Sequence, residues 1–111
     1  MSPNPDLESA SPVTALAGAV LKVVLEALAN GALVGDVARS LTADRVPLER
    51  PKNREHGDYA TSIALTLAKS EGKAPRDIAL VIKSGLEKVS GVASVEIAGP
   101  GFINITLDKS S

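Results

Sequence analysis

The fold of this chain is decided between residues 49 and 69, which read Glu-Arg-Pro-Lys-Asn-Arg-Glu-His-Gly-Asp-Tyr-Ala-Thr-Ser-Ile-Ala-Leu-Thr-Leu-Ala-Lys. The first half is basic and contains a proline, and the second half is mainly apolar. Asp58 lies at the junction, and aspartate commonly caps a helix because its carboxylate accepts the free amide hydrogens of the first turn. The apolar residues after it recur at the spacing of one helical face: Ala60, Ile63, Ala64, Leu67 and Ala68. The stretch therefore predicts a loop that leads into a buried helix, which begins after Asp58 and ends at Gly72.

The loop before this helix carries three cations, Arg50, Lys52 and Arg54. They would lie near the positive end of the predicted helix, a combination that suits an anionic partner better than a metal. Contacts to phosphate groups are one interpretation. A solvated loop is the other, because Glu49 and Glu55 dilute the charge. The residues alone leave these two alternatives open.

Size and composition limit what the chain can be. It has 111 residues, of which 44% are hydrophobic, and a net charge of −1, which together indicate one folded domain with a modest core. The core must be aliphatic, because Tyr59 and Phe102 are the only aromatic residues. The absence of cysteine excludes disulfides and cysteine-based zinc sites. The near-neutral charge does not fit a strong non-specific nucleic-acid binder, so any RNA contact must be local.

No membrane or export segment is expected. The longest apolar run, residues 13–28, is interrupted by Lys22 and Glu26, and it lacks the basic leader and the cleavage site of a signal peptide. The lack of cysteine also fits a reducing compartment. We therefore expect a cytoplasmic monomer that does not bind membranes.

The remaining segments predict an α+β fold, in which a small, mainly antiparallel sheet with a C-terminal hairpin is covered on one face by three to four helices. Residues 1–11 are rich in Pro and Ser, and we interpret them as a flexible lead-in. The predicted elements are a helix from Pro12 to Gly31, a short helix after Gly35-Asp36, a short edge strand over residues 46–50, the helix after Asp58 and a helix from Pro75 to Gly91. Gly85 weakens the last helix and indicates close packing there.

The predicted hairpin places its side chains on two faces. Strand alternation puts Ile103, Ile105 and Leu107 on one face. Phe102 and Asn104 share the opposite face and follow a Gly-Pro-Gly turn. An aromatic ring can stack on an unstacked base, an amide can read a base edge, and turn glycines let a backbone approach closely. From the pattern alone, packing of Phe102 under a loop and closure of a turn by Asn104 explain these residues better.

His56 is the only histidine, and it lies near Glu55 and Asp58. A lone histidine without cysteine partners is a poor zinc site, because zinc takes three or four protein ligands. A small hydrolase that used these three residues would also need a nucleophile and a pocket, and the sequence indicates neither. We therefore favour an ordering role in the loop for His56.

Three blocks of the sequence together resemble the N-terminal additional domain of arginyl-tRNA synthetases. They are His-Gly-Asp-Tyr-Ala-Thr at residues 56–61 within the stretch 51–69, Pro-Arg-Asp-Ile-Ala at residues 75–79, and Ala-Gly-Pro-Gly-Phe-Ile-Asn at residues 98–104. Their order and spacing match, and together they cover residues 46–108. The resemblance implies that Phe102 and Asn104 match an aromatic and an amide that contact a base of the tRNA D-loop. It also implies a further contact at Gly99, a turn position used in some members.

The resemblance implies a division and a role for the chain. Residues 12–108 would form the tRNA D-loop-binding domain, and residues 109–111 would be its truncated C-terminal end. The partners would be tRNA(Arg), which the domain positions for aminoacylation, and the catalytic domain of the same enzyme, a class I arginine–tRNA ligase that uses ATP and Mg.

The fragment itself would hold no cofactor, no metal and no catalytic residue. Its sequence lacks the His-x-Gly-His and Lys-Met-Ser-Lys-Ser motifs of a class I synthetase, and it lacks a phosphate-binding glycine-rich loop. A free-standing RNA- or protein-binding module of the same fold, without enzymatic activity, is the alternative.

Overall fold

A computed structural model describes residues 12–52 and 57–108. Arg54, Glu55 and His56, like the predicted lead-in over 1–11 and the end over 109–111, lie outside the described residues. The elements are α1 (Pro12–Ala29), α2 (Asp36–Arg39), β1 (Tyr59–Thr61), α3 (Ile63–Glu71), α4 (Pro75–Leu86), β2 (Val92–Ala98) and β3 (Phe102–Leu107), with one turn of 3-10 helix at Ala43–Arg45. Four α-helices and an antiparallel sheet in the described ranges confirm the predicted α+β class.

Helix α1 is the longest element described, because its apolar side chains follow helical spacing without interruption. Val20 and Val24 are fully buried at the centre of this stripe, and Leu16 and Ala27 extend it in both directions. The helix ends just before Gly31, whose φ of +86° lies in the left-handed region that glycine adopts without strain. The predicted first helix and its glycine stop are confirmed.

The segment after Asp58 is the main correction to the sequence prediction. Tyr59–Thr61 forms strand β1, and α3 begins only at Ile63. Asp58 is not a helix cap, because its N–H donates to the Ile105 carbonyl at 2.8 Å and its carboxylate accepts from the Leu107 N–H at 2.8 Å. These partners on β3 are up to 49 positions away in the sequence, so local spacing did not indicate the strand.

Helix α3 ends as predicted at Gly72, which has a φ of +69° and donates its N–H to the Ala68 carbonyl at 2.9 Å. Helix α4 begins at Pro75, as predicted, but it ends at Leu86 and does not reach Gly91. The prediction of its end is wrong because the chain turns after Leu86 in order to enter β2.

Gly85 lies where α4 packs against α1. A Cβ atom at this position would come 2.5 Å from Val23 Cγ1, which is closer than side chains pack. The predicted close approach is therefore confirmed, and it offsets a helix-propensity cost of about 1 kcal/mol for glycine relative to alanine.

The sheet has the strand order β1-β3-β2, and both pairings are antiparallel. The predicted C-terminal hairpin is confirmed, with Val95 opposite Ile105 and Ile97 opposite Ile103. On the other side of β3, Tyr59 lies opposite Ile105. Since Ile103 and Ile105 are fully buried, the helix-facing side of the central strand closes the core.

The segment between α1 and β1 is mostly irregular. The predicted short helix is confirmed as α2. The predicted edge strand over residues 46–50 is reduced to one bridge, in which Glu49 and Ala60 exchange backbone hydrogen bonds of 2.9 and 2.8 Å. Pro47 and Pro51 flank the bridge and lack the N–H that a longer ladder would use.

Candidate nucleic-acid interface

Strand β3 presents different side chains on its two faces. Ile103 and Ile105 point into the core and are fully buried. Phe102 points the other way and keeps 36% of its surface exposed, and Asn104 is half-buried on the same face. The predicted placement of Phe102 and Asn104 opposite the aliphatic residues is confirmed. We call the face that bears these two residues the outer face of the sheet.

Asn104 lies within a row of residues that crosses the outer face. Its partner on β2 is Glu96 and its partner on β1 is Ala60, which is bridged in turn to Glu49. Directly opposed residues of antiparallel strands share a face, with Cβ atoms about 4.5–5.5 Å apart. This transverse row, Glu49-Ala60-Asn104-Glu96, places one amide and one small side chain between two exposed carboxylates.

A hollow of about 130 Å³ adjoins the transverse row on the side of β1. Its lining consists of Pro47, Leu48, Glu49, Ala60 and Ser62. Ala60, the residue opposite Asn104, is therefore the member of the row that connects the hollow with β3.

The turn before β3 is packed on one side and open on the other. A Cβ atom at Gly101 would come 2.7 Å from Pro75 Cβ, so the backbone there lies tightly against the start of α4. Gly99 has a φ of +59°, and a Cβ built on it would meet nothing within 4 Å. The turn therefore fixes the position at which Phe102 begins the strand, and it leaves Gly99 open to close approach.

The described cations of the basic loop are not gathered on the outer face. The Arg50 guanidinium lies 4.9 Å from the centre of the Tyr59 ring, and its Nη2 donates to the Tyr59 hydroxyl at 3.1 Å. Tyr59 is paired with buried Ile105 and so belongs to the opposite, helix-facing side of the sheet. Lys52 is exposed, and Arg54 lies outside the described residues.

The structure around Asp58 removes the support for two interpretations of the sequence, the anionic partner at a helix end and the small hydrolase. Since α3 begins at Ile63 and not after Asp58, the basic loop is separated from the start of that helix by β1. The helix end therefore gives no support to an anionic partner of the loop. The Asp58 carboxylate accepts a backbone hydrogen bond from β3, which gives it a structural role. The other two residues of the hydrolase alternative, Glu55 and His56, lie outside the described residues.

Sequence reasoning missed the neighbours of Asn104. The helical spacing in the sequence includes Ala60, so it indicates neither the pairing of Ala60 with Asn104 nor the bridge to Glu49 beyond it. The predicted hairpin faces also do not connect Glu96 with Asn104. The position of the turn could have indicated this pairing. If Ala98 and Phe102 pair on either side of the turn, then Glu96 and Asn104, two residues further along each strand, also pair.

The described ranges 12–52 and 57–108 contain neither a candidate metal site nor a candidate membrane span. These residues include no group of three or more His, Cys, Asp or Glu side chains placed to hold a metal ion. Nor does any helix among them combine the length and the apolar character needed to cross a bilayer.

Comparisons with known proteins agree with one another. The family model of the arginyl-tRNA synthetase N-terminal domain matches residues 16–107. An arginine–tRNA ligase of Renibacterium salmoninarum is 54% identical over 93 residues, which cover 84% of this chain and 16% of the relative. Those of Kineococcus radiotolerans and Micrococcus luteus are 48% and 46% identical over 86% and 89% of this chain, and 17% of each relative is covered. The chain thus spans about a sixth of the length of these curated relatives.

Proposed function

The chain belongs to the arginyl-tRNA synthetase N-terminal domain family, and on that premise we propose that it binds the D-loop at the outer corner of tRNA(Arg). In this proposal residues 12–108 form a monomeric domain that positions the tRNA. The catalytic domain of the same cytoplasmic enzyme, an arginine–tRNA ligase that uses ATP and Mg, attaches arginine to the acceptor end. The domain contributes binding and orientation, and the chemistry belongs to the rest of the enzyme.

The observation that carries the proposal is the exposure of Phe102 beside Asn104. Of the aromatic residues, Tyr59 is 5% exposed and Phe102 is 36% exposed. Full burial of a phenylalanine side chain stabilises a fold by about 1.5–3 kcal/mol. Because Phe102 is partly exposed, it contributes only part of this stabilisation. An exposed ring on a sheet is a surface on which an unstacked RNA base can stack.

Asn104 supplies the means to read the stacked base. Its amide has both a donor and an acceptor, so it can match the edge of one base better than the edges of others. The side chain is half-buried in the transverse row, between Ala60 and Glu96, which limits the directions in which the amide can point. Stacking on Phe102 then supplies affinity, and hydrogen bonds to Asn104 supply preference.

The remaining contacts of the proposed interface are with the RNA backbone. Gly99 lets the RNA backbone approach the turn closely, because this glycine is exposed and carries no side chain. Arg50, Lys52 and Arg54 bind phosphates of the RNA, since phosphate contacts orient an RNA without reading its sequence. Stacking of Arg50 on Tyr59 holds that guanidinium in a defined position before the RNA arrives.

Truncation of the two outer-face residues tests the proposal. Phe102→Ala should weaken the binding of every tRNA(Arg) transcript by about 1–3 kcal/mol, because stacking tolerates any base. Asn104→Ala should instead flatten the preference for one D-loop base. Both are measured by NMR titration of this chain and, in the complete ligase, by the tRNA dependence of charging, with transcripts that differ only at that base.

Leu80→Ala is the matched control, because Leu80 is a 51% exposed apolar residue on α4. It should leave tRNA binding unchanged. Should the Phe102 and Asn104 variants both bind and discriminate among the transcripts as the parent does, the outer face is not the tRNA-binding surface.

A further inference from the structure

We propose that a second basic surface, at the corner between α3 and α4, binds the phosphates on either side of the base that stacks on Phe102. Its three cations are Lys69, Lys73 and Arg76, all of them exposed, and we call them the corner cluster. The inference rests on the proposed function of the outer face. It concerns the RNA backbone, so it adds no preference for one base over another.

The corner between the two helices lies against the hairpin turn that leads into Phe102. A Cβ atom on Gly101 would come 2.7 Å from Pro75 Cβ and 3.3 Å from Leu65 Cδ2. Pro75 is the first residue of α4, and Leu65 lies in the first turn of α3. The turn therefore packs on both helices, directly before Phe102 in the chain.

The same contacts place the corner cluster beside the turn. Arg76 follows Pro75 directly, and Lys73 precedes it by two residues. Lys69 comes four residues after Leu65, so it lies on the same face of α3. The cluster thus belongs to the helical layer at the turn end of the sheet. An RNA strand that leaves the outer face reaches it by passing the open side of the turn.

The charge of the corner cluster is available to a ligand. The ion pair found in the described part of the chain joins Lys83 and Glu87, so the three cations of the cluster are not paired there. Glu71 lies about 200° around α3 from Lys69, and its carboxylate accepts two backbone N–H groups of the segment before α2. Asp77 is then the one exposed carboxylate of α3, α4 and the loop between them. The excess of positive charge at the corner attracts a phosphate backbone.

The basic loop lies toward the other end of the sheet. Phe102 begins β3 beside the turn, whereas Tyr59 pairs with Ile105, three residues further along the strand. Three residues of an antiparallel strand span about 10 Å. Because Arg50 packs on the Tyr59 ring, the loop starts at that distance from the turn. The corner cluster is therefore the nearer of the two basic surfaces to the base on Phe102, and the loop binds phosphates further along the RNA.

The experiment uses tRNA(Arg) transcripts in which one of the two phosphates beside the recognised D-loop base is replaced by an uncharged methylphosphonate. At 0.1 M salt, at least one replacement should weaken binding by the 111-residue chain about fivefold, the loss expected for one contact with a salt slope of about −0.7. Lys73→Glu and Arg76→Glu should each weaken binding of the unmodified transcript by a similar factor. The double variant should bind modified and unmodified transcripts within about twofold of each other.

Two further charge reversals serve as controls. Lys52→Glu, in the basic loop, should weaken binding of the unmodified transcript but keep the effect of the methylphosphonate. Lys88→Glu, in the turn that follows the far end of α4, should change neither the affinity nor that effect.

Three results would overturn the role of the corner cluster: a parent that neither methylphosphonate weakens, a double variant that keeps the full methylphosphonate effect, or equal losses in the corner and Lys88 variants. If Phe102→Ala still weakens binding of the unmodified transcript in any of these cases, the proposed function stands and only the corner cluster fails. If Phe102→Ala and Asn104→Ala bind as the parent does, the proposed function fails and this inference fails with it, whatever the corner variants do.

Discussion

Among single residues, Glu71 illustrates how one carboxylate orders a segment that is distant in the sequence. It is buried at the end of α3, and its two oxygens accept the N–H groups of Val34 at 2.9 Å and Gly35 at 2.6 Å. A Cβ atom on Gly35 would come 2.7 Å from Glu71 Oε2, so only glycine fits there without a shift of the carboxylate. Glu71 thus takes the place of backbone acceptors for the segment that leads into α2.

Glu71→Ala should lower the free energy of unfolding by about 1–3 kcal/mol, because two N–H groups lose their acceptor. Chemical denaturation of this chain measures the change. The control is Glu87→Ala, which removes a carboxylate that is paired with Lys83 at the surface and should cost less than about 0.5 kcal/mol. Equal costs for the two variants would mean that water replaces the Glu71 contacts without loss.

The predictability of single residues depends on how local their interactions are. Phe102 and Asn104 could be assigned to a common face because strand alternation needs only neighbouring residues. The structural role of Glu71 could not be identified, because the N–H groups that donate to its carboxylate lie 36 and 37 positions earlier in the sequence. Glu96 falls between these cases, since only the turn geometry connects it with Asn104.

At the level of elements, periodicity predicts α1, α4 and the hairpin, but it does not predict β1. Residues 59–61 are compatible with a helix when they are read alone, and only their pairing with β3 makes them a strand. Gly57 makes this pairing possible, because it has a φ of +95° and a Cβ on it would come 2.8 Å from the Ile105 carbonyl oxygen. The same missed strand hid Ala60 and Glu49 from the candidate site.

The helices α3 and α4 should depend on their central apolar residues. Leu67 and Ile82 are fully buried in the core, so Leu67→Ala and Ile82→Ala should each cost about 2–5 kcal/mol in the free energy of unfolding. Chemical denaturation provides the measurement, and Leu80→Ala on the exposed side of α4 serves as the control. A cost below about 0.5 kcal/mol for either buried residue would contradict the packing described here.

For the molecule as a whole, we expect binding without catalysis. The chain spans about a sixth of its relatives' length, and its single histidine cannot supply a His-x-Gly-His motif. The purified 111-residue chain should therefore show no arginine-dependent ATP–pyrophosphate exchange, with a complete arginine–tRNA ligase as the positive control. Exchange by the chain alone would contradict the assignment of the chemistry to the rest of the enzyme.

The charge of the whole molecule predicts weak tRNA binding that is sensitive to salt. With 12 basic and 13 acidic residues, we expect the chain to attract RNA only locally, through Arg50, Lys52 and Arg54 and through the corner cluster. The three phosphate contacts of the basic loop should contribute about −2 to the slope when the logarithm of the binding constant is plotted against that of the salt concentration, since each contact to a single strand contributes about −0.7.

Charge reversal separates the basic loop from the outer face. Lys52→Glu is the cleanest variant, because Arg50 also packs on Tyr59. It should weaken all transcripts by the same factor, make the salt slope shallower by about 0.7, and leave the base preference intact, since phosphates carry no sequence information. Lys88→Glu, in the turn between α4 and β2, makes the same change of charge away from the proposed interface and should leave the slope unchanged. If reversal of Arg50, Lys52 and Arg54 together left affinity and slope as in the parent, the loop would not bind phosphate, and the outer face and the corner cluster would hold the tRNA.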